Sequence, residues 1–146
     1  IAVSADNVLN DLVMREALEC QAARECATTA SPDALEALAA QAKKIDAVLV
    51  AGADPTEAAH DDAHGAFHVA IARASGRDAL ARELQRVWFR RHMHRGWIRA
   101  AKHGIPDRWH QTLIDAIATR DPRRAEAHMR FHVCWNTSRH QQQPEY

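Results

Sequence analysis

The sequence predicts an all-α fold, an antiparallel bundle of about six helices. Three observations point there. Only five Gly and five Pro occur in 146 residues while alanine is abundant, so few positions oppose helix. Apolar residues recur at helical spacing, as in Leu9, Leu12, Val13 and Leu18, in Phe67, Ile71 and Ala74, and in Leu113, Ile114 and Ile117. No stretch shows the period-two alternation of β-branched residues that marks a half-buried strand, so no sheet is expected.

The helices follow from their punctuation. A first helix is predicted over 5–29 and ends before Ser31-Pro32-Asp33, where a capping serine precedes proline at the first helical position and Glu36 follows closely. A second runs over 32–51. Ala53-Asp54-Pro55 repeats the device with Asp54 as cap and opens a third over 55–75, which Ser75-Gly76 closes. A fourth is predicted over 77–102, and Gly104-Ile105-Pro106-Asp107 separates it from a fifth over 107–119. Asp121-Pro122 starts the last, over 122–138, and the polar Gln141–Gln143 tail is expected to fray. Short connections favour antiparallel neighbours.

The length suits one domain over 1–146. Lys plus Arg and Asp plus Glu number 19 each, so no electrostatic bias directs the chain to nucleic acid or membrane. Charged residues at 26% and apolar residues at 47% are ordinary for a globular protein. Cys20, Cys26 and Cys134 are odd in number and form no C-x-x-C pair, which reads as buried thiols in a reduced, cytoplasmic protein. No apolar run approaches the roughly eighteen residues of a membrane span. The chain opens directly in a helical pattern, as a portion of a longer protein would. No G-x-G-x-x-G, Walker-type loop or G-x-S-x-G elbow occurs.

Ten histidines are the unusual figure. His64 and His68 are four apart beside the Phe67/Ile71 stripe, so they share one face of the third helix. His110 shares a face with Leu113, Ile114 and Ile117, and His132 follows Ala125 and Met129 on the inward stripe of the last helix. Four imidazoles are thereby offered to a common interior, a central ligand or metal pocket. Buried imidazoles without partners are costly, and a divalent ion relieves this by accepting a lone pair from each ring. A single His on an apolar face is more often a hydrogen-bonded core residue, and spacing does not prove convergence. His60 and His128 extend the two series and are expected at the surface, as are His92, His94, His103 and His140.

Several motifs occur in a shared order: Val13-Met14-Arg15-Glu16-Ala17-Leu18-Glu19, then Phe67-His68 with Ala74-Ser75-Gly76, then Trp109-His110 through Ala116-Ile117 to Arg120-Asp121 and His132. This pattern resembles the FCD domain, the C-terminal effector-sensing half of FadR-type regulators in the GntR transcription-factor family. Six helices resemble its shorter, VanR-like variant. The resemblance implies a homodimeric regulator, an effector that is a small organic acid, and DNA contact only through a winged-helix domain absent from this chain. It also implies a metal site at position 64, His68, His110 and His132, with zinc favoured and nickel second. Position 64 is His where the family pattern has Asp; imidazole can replace carboxylate toward either ion. Arg77 stands where the family tends to have Asn, either as a surface change or at the pocket rim. Arg15 matches an arginine expected near the effector, where guanidinium can clamp a carboxylate. Its plainer reading is a helix-surface ion pair with Glu19.

Two other function classes compete. A helical-bundle metalloenzyme could use the same histidines, but it needs an acid or base beside an open metal position. Asp61 and Asp62 lie at angles that need not face His64 and His68, and the E-x-x-H pattern of di-metal bundles is missing. A non-enzymatic role is therefore expected. A purely structural dimerisation domain is the third reading. The Arg90–Arg95 basic run reads as a solvated face, and Val87, Trp88 and Trp97 as core, dimer surface or pocket wall.

Overall fold

The computed structural model describes residues 5–52, 58–93 and 105–135, without the side chains of 5–8 and 91–93. Among the described residues six helices pack together: α1 (Ala5–Thr29), α2 (Pro32–Val50), α3 (Ala58–Ala74), α4 (Asp78–Met93), α5 (Trp109–Ala118) and α6 (Pro122–Cys134). There is no strand among the described residues. The caps read from the sequence are in place where described. Ser31 accepts from the Ala34 N–H at 3.2 Å, Asp121 accepts from Arg123 and Arg124, and Gly76 adopts φ +72° to close α3. Asp54, Trp97 and the predicted helical residues 55–57, 94–102 and 136–138 lie outside the described residues.

α1 is the organising helix. It packs most extensively on α6 and also touches α3, α4 and α5, while α2 lies against α3 and α5. A helix surrounded on several faces cannot carry large side chains on all of them. Cys20, Ala23, Cys26 and Ala27 accordingly face the main core with Phe67, Ile71, Leu113, Ile117 and Met129. Ala22 faces a second cluster of Val69, Ala72, Leu84 and Trp88. Small residues let the backbones approach closely at native packing density.

This corrects the sequence-based stripe on α1. Leu9 and Val13 are exposed at 58% and 54%, and Leu12 and Leu18 are only partly buried. The core face lies further along the helix and is made of alanine and cysteine. All three cysteines are buried and none is in a disulfide, in keeping with their use as small residues of the core.

α5 departs from its local signal too. It begins at Trp109 rather than 107, and Arg108 at its cap position makes no capping hydrogen bond through its side chain. The acceptors come instead from Asp46 on α2, which takes the His110 N–H at 3.0 Å and the Gln111 N–H at 2.9 Å. These are the bonds a local capping side chain would make, supplied across the bundle.

Candidate metal centre

α3, α5 and α6 bring their histidines to one buried point. Ligand atoms of His64, His110 and His132 lie within 4.8 Å of one another, and this triad could hold a metal ion. His68 adjoins it: its Nε2 is 2.9 Å from Nε2 of His64, which is in turn 3.4 Å from Nε2 of His132. Zn–N bonds of about 2.0–2.1 Å in a tetrahedron place neighbouring nitrogens about 3.3 Å apart. The His64–His132 spacing therefore suits shared coordination. The His64–His68 spacing is that of a hydrogen bond, and joint ligation would open it by about 0.4 Å.

An unpartnered nitrogen gives the second indication. His110 Nε2 is buried and has no hydrogen-bond partner among the described residues. An orphaned polar atom in a core costs free energy, and an ion would satisfy it. His132 Nδ1 is also without a hydrogen-bond partner among the described residues, but that ring turns its other nitrogen, Nε2, toward His64. Burial, followed by the charges of neighbouring rings, pushes His64 and His132 well below the ordinary imidazole range. Burial also lowers His68, against an opposing pull from Glu19. Such rings are neutral near pH 7, the form that binds metal.

Two carboxylates stand behind the rings, and neither role was read from the sequence. Asp46 Oδ1 accepts Nδ1–H of His110 at 2.6 Å. Glu19 Oε2 lies 2.8 Å from Nδ1 of His68, close but poorly aligned with the ring N–H. Glu19 is fully buried; burial alone would raise its carboxyl, but Arg15 and His68 draw it down to about 2. A signal for Asp46 did exist, since it sits one residue after Ile45 and four after Ala42 on the inward stripe of α2. An acidic residue on such a stripe needs a partner.

Arg15 is neither on the surface nor unengaged. Its Nε and Nη2 meet Glu19 at 2.8 and 3.4 Å, and its guanidinium lies 4.2 Å from the Trp88 ring centre. The expected ion pair with Glu19 thus forms, but inside the protein rather than on the helix surface. Trp88 donates Nε1–H to Glu19 at 3.0 Å and stacks on His68, while Trp109 stacks on His132 at 4.7 Å. Of the residues left open earlier, Val87 and Trp88 are buried.

His60 is buried rather than exposed, because α3 packs a broad face against α1, α2 and α4. Its ring centre is 6.2 Å from that of His64, and it is outside the triad. His128 is half-buried, and His94, His103 and His140 lie outside the described residues, as does the side chain of His92. Asp61 is buried and Asp62 exposed. Arg77 is a surface residue paired with Glu25 at 3.1 Å. No helix among the described residues is long and apolar enough to cross a membrane.

No match was found among curated proteins. The family model of the FCD domain, the C-terminal effector-binding domain of GntR-type regulators and a regulatory rather than catalytic unit, does match, over residues 12–134. That span holds every histidine of the cluster together with Arg15, Glu19 and Asp46, and the chain therefore belongs to the FCD domain family.

Proposed function

We propose that this domain senses a small organic acid through a divalent metal ion and thereby controls DNA binding by an attached winged-helix domain. The observation that carries this is the histidine cluster with the buried, unpartnered Nε2 of His110. His64, His110 and His132 are the ligands with His68 as the fourth, and the imidazole at position 64 takes the place of the family's carboxylate. An all-nitrogen set of borderline donors favours zinc, then nickel, over magnesium or manganese. It also leaves the ion's formal charge undiminished by its ligands, which strengthens attraction for an anionic effector.

Arg15 is the second anchor for the effector carboxylate. Glu19 engages Nε and Nη2, which leaves Nη1 outside that pair. We place the domain in a cytoplasmic, homodimeric regulator of the six-helix, VanR-like type. The metalloenzyme reading is weaker: Glu19 and Asp46, the buried carboxylates that touch the cluster, sit behind His68 and His110 instead of beside the nitrogens that face the ion.

Metal analysis of the purified chain tests the proposal. One zinc or nickel per chain is expected, lost on His110→Ala or His132→Ala. A chain that stays free of metal after exposure to several divalent ions would sink the metal half. The sensing half predicts that organic acids shift the melting temperature of metal-loaded protein and that Arg15→Met abolishes the shift.

A further inference from the structure

Asp46 is almost fully buried in the interior of α2 and accepts four hydrogen bonds. Oδ1 takes the His110 backbone N–H at 3.0 Å and the His110 ring Nδ1–H at 2.6 Å. Oδ2 takes the Gln111 backbone N–H at 2.9 Å and its side-chain amide at 3.1 Å. An ionised carboxylate only accepts, so Nδ1 of His110 must carry the proton. The other nitrogen, Nε2, is then a bare lone pair, and it is one of the buried atoms without a partner among the described residues.

We propose that Asp46 is a positioning residue of the metal centre: it fixes His110 as the Nδ1–H tautomer and joins that ligand to the N-terminus of α5 as one unit. This rests on the metal-sensing reading above. A helix cap alone would need only the two backbone N–H bonds. The ring bond is the shortest of the four and contributes nothing to capping, yet it sets which nitrogen faces the cluster. A carboxylate behind a ligating imidazole both orients the ring and raises its basicity. An ion drawing electrons from Nε2 in turn makes Nδ1–H a stronger donor to Asp46. Metal occupancy then tightens the contact between α5 and α2, a helix that supplies no ligand itself.

The test uses the whole chain labelled with ¹⁵N at histidine. Long-range ¹H–¹⁵N spectra of wild type in chelator are expected to show His110 protonated on Nδ1 and not on Nε2. Zinc affinity, measured by competition with a chromophoric chelator, is expected to fall about 10- to 100-fold in Asp46→Asn, which keeps the shape but removes the charge and turns one of the two acceptor oxygens into a donor. Gln111→Ala, which cuts only the side-chain amide bond to Oδ2, should leave the affinity little changed. His110 protonated on Nε2 in wild type would overturn the proposal, and so would a folded Asp46→Asn chain that binds zinc as wild type does. If Asp46→Asn does not fold, the wild-type tautomer still decides. A wild-type chain that takes up no zinc removes the metal reading, while the tautomer continues to decide the hold of Asp46 on His110.

Discussion

At the scale of single residues the domain is governed by groups kept from water. His64, His68 and His132 are all held below the ordinary imidazole value of 6.5, first by burial. The unfolded chain then binds more protons than the native one once the pH drops below that value. Stability contributed by these rings is complete above about pH 6.5 and is lost as the pH falls from there toward their folded values. Metal-free protein should show a lower urea midpoint at pH 5.5 than at pH 7.5, and an unchanged or higher midpoint would contradict the burial of neutral rings. Glu19 makes the opposite kind of demand, because it is charged inside the protein and paired with Arg15. Glu19→Ala strands the guanidinium and should cost about 3–5 kcal/mol in urea unfolding. Replacing both partners by Met should restore most of that loss; a double variant as unstable as the single one would show that the pair was not the cause.

At the scale of elements, two helix ends are satisfied by side chains from elsewhere in the chain. Asp46 does this for α5, and Arg120 does it for α1. Arg120 adopts φ +63° in the turn before α6 and sends Nη1 to the carbonyls of Ala30 at 2.7 Å and Ala27 at 3.4 Å. A left-handed conformation in a non-glycine residue costs about 1–2 kcal/mol, and the charged donor offsets it. Arg120→Ala loses the bonds and keeps the unfavourable φ, so it should destabilise by about 1–3 kcal/mol. Arg120→Gly loses the same bonds but relieves the backbone. Its melting temperature should lie above that of the alanine variant, and the reverse order would show that the turn's conformation is not what is being relieved.

At the scale of the molecule, the candidate ligands come from α3, α5 and α6; α5 packs directly on α6, whereas α3 meets α5 through α2 and meets α6 through α1. An ion would therefore cross-link the bundle. At a free concentration a hundredfold above its dissociation constant it adds about 2.7 kcal/mol. Chelation should lower the melting temperature and increase amide exchange in α3, α5 and α6 together; loss confined to one helix would argue against a shared ion. The outer surface carries a second expectation. Leu9 and Val13 on α1 and Phe89 on α4 are exposed, and the Asp11–Arg90 ion pair at 2.9 Å joins the two helices beside them. If this is the face where the proposed homodimer closes, Val13→Glu or Phe89→Glu should shift sedimentation toward monomer, and a dimer unaffected by both places its interface elsewhere.

Much was legible from local chemistry. Ser31-Pro32, Ser75-Gly76 and Asp121-Pro122 marked helix ends, because capping and backbone preference act within a few residues. Helical spacing also put His64, His110 and His132 on inward faces, and the order of motifs carried the family. What the sequence by itself determined was thus the all-α class, the helices and the residue types offered to the interior. Tertiary structure alone decided what met what. It turned the Leu9/Val13 stripe outward, buried His60, made the Arg15–Glu19 pair internal and set Asp46 behind His110 from 64 residues away. The reason is physical: periodicity specifies a direction around one helix axis, whereas a buried charge, a tautomer or a coordination geometry depends on distances between helices that no single helix encodes.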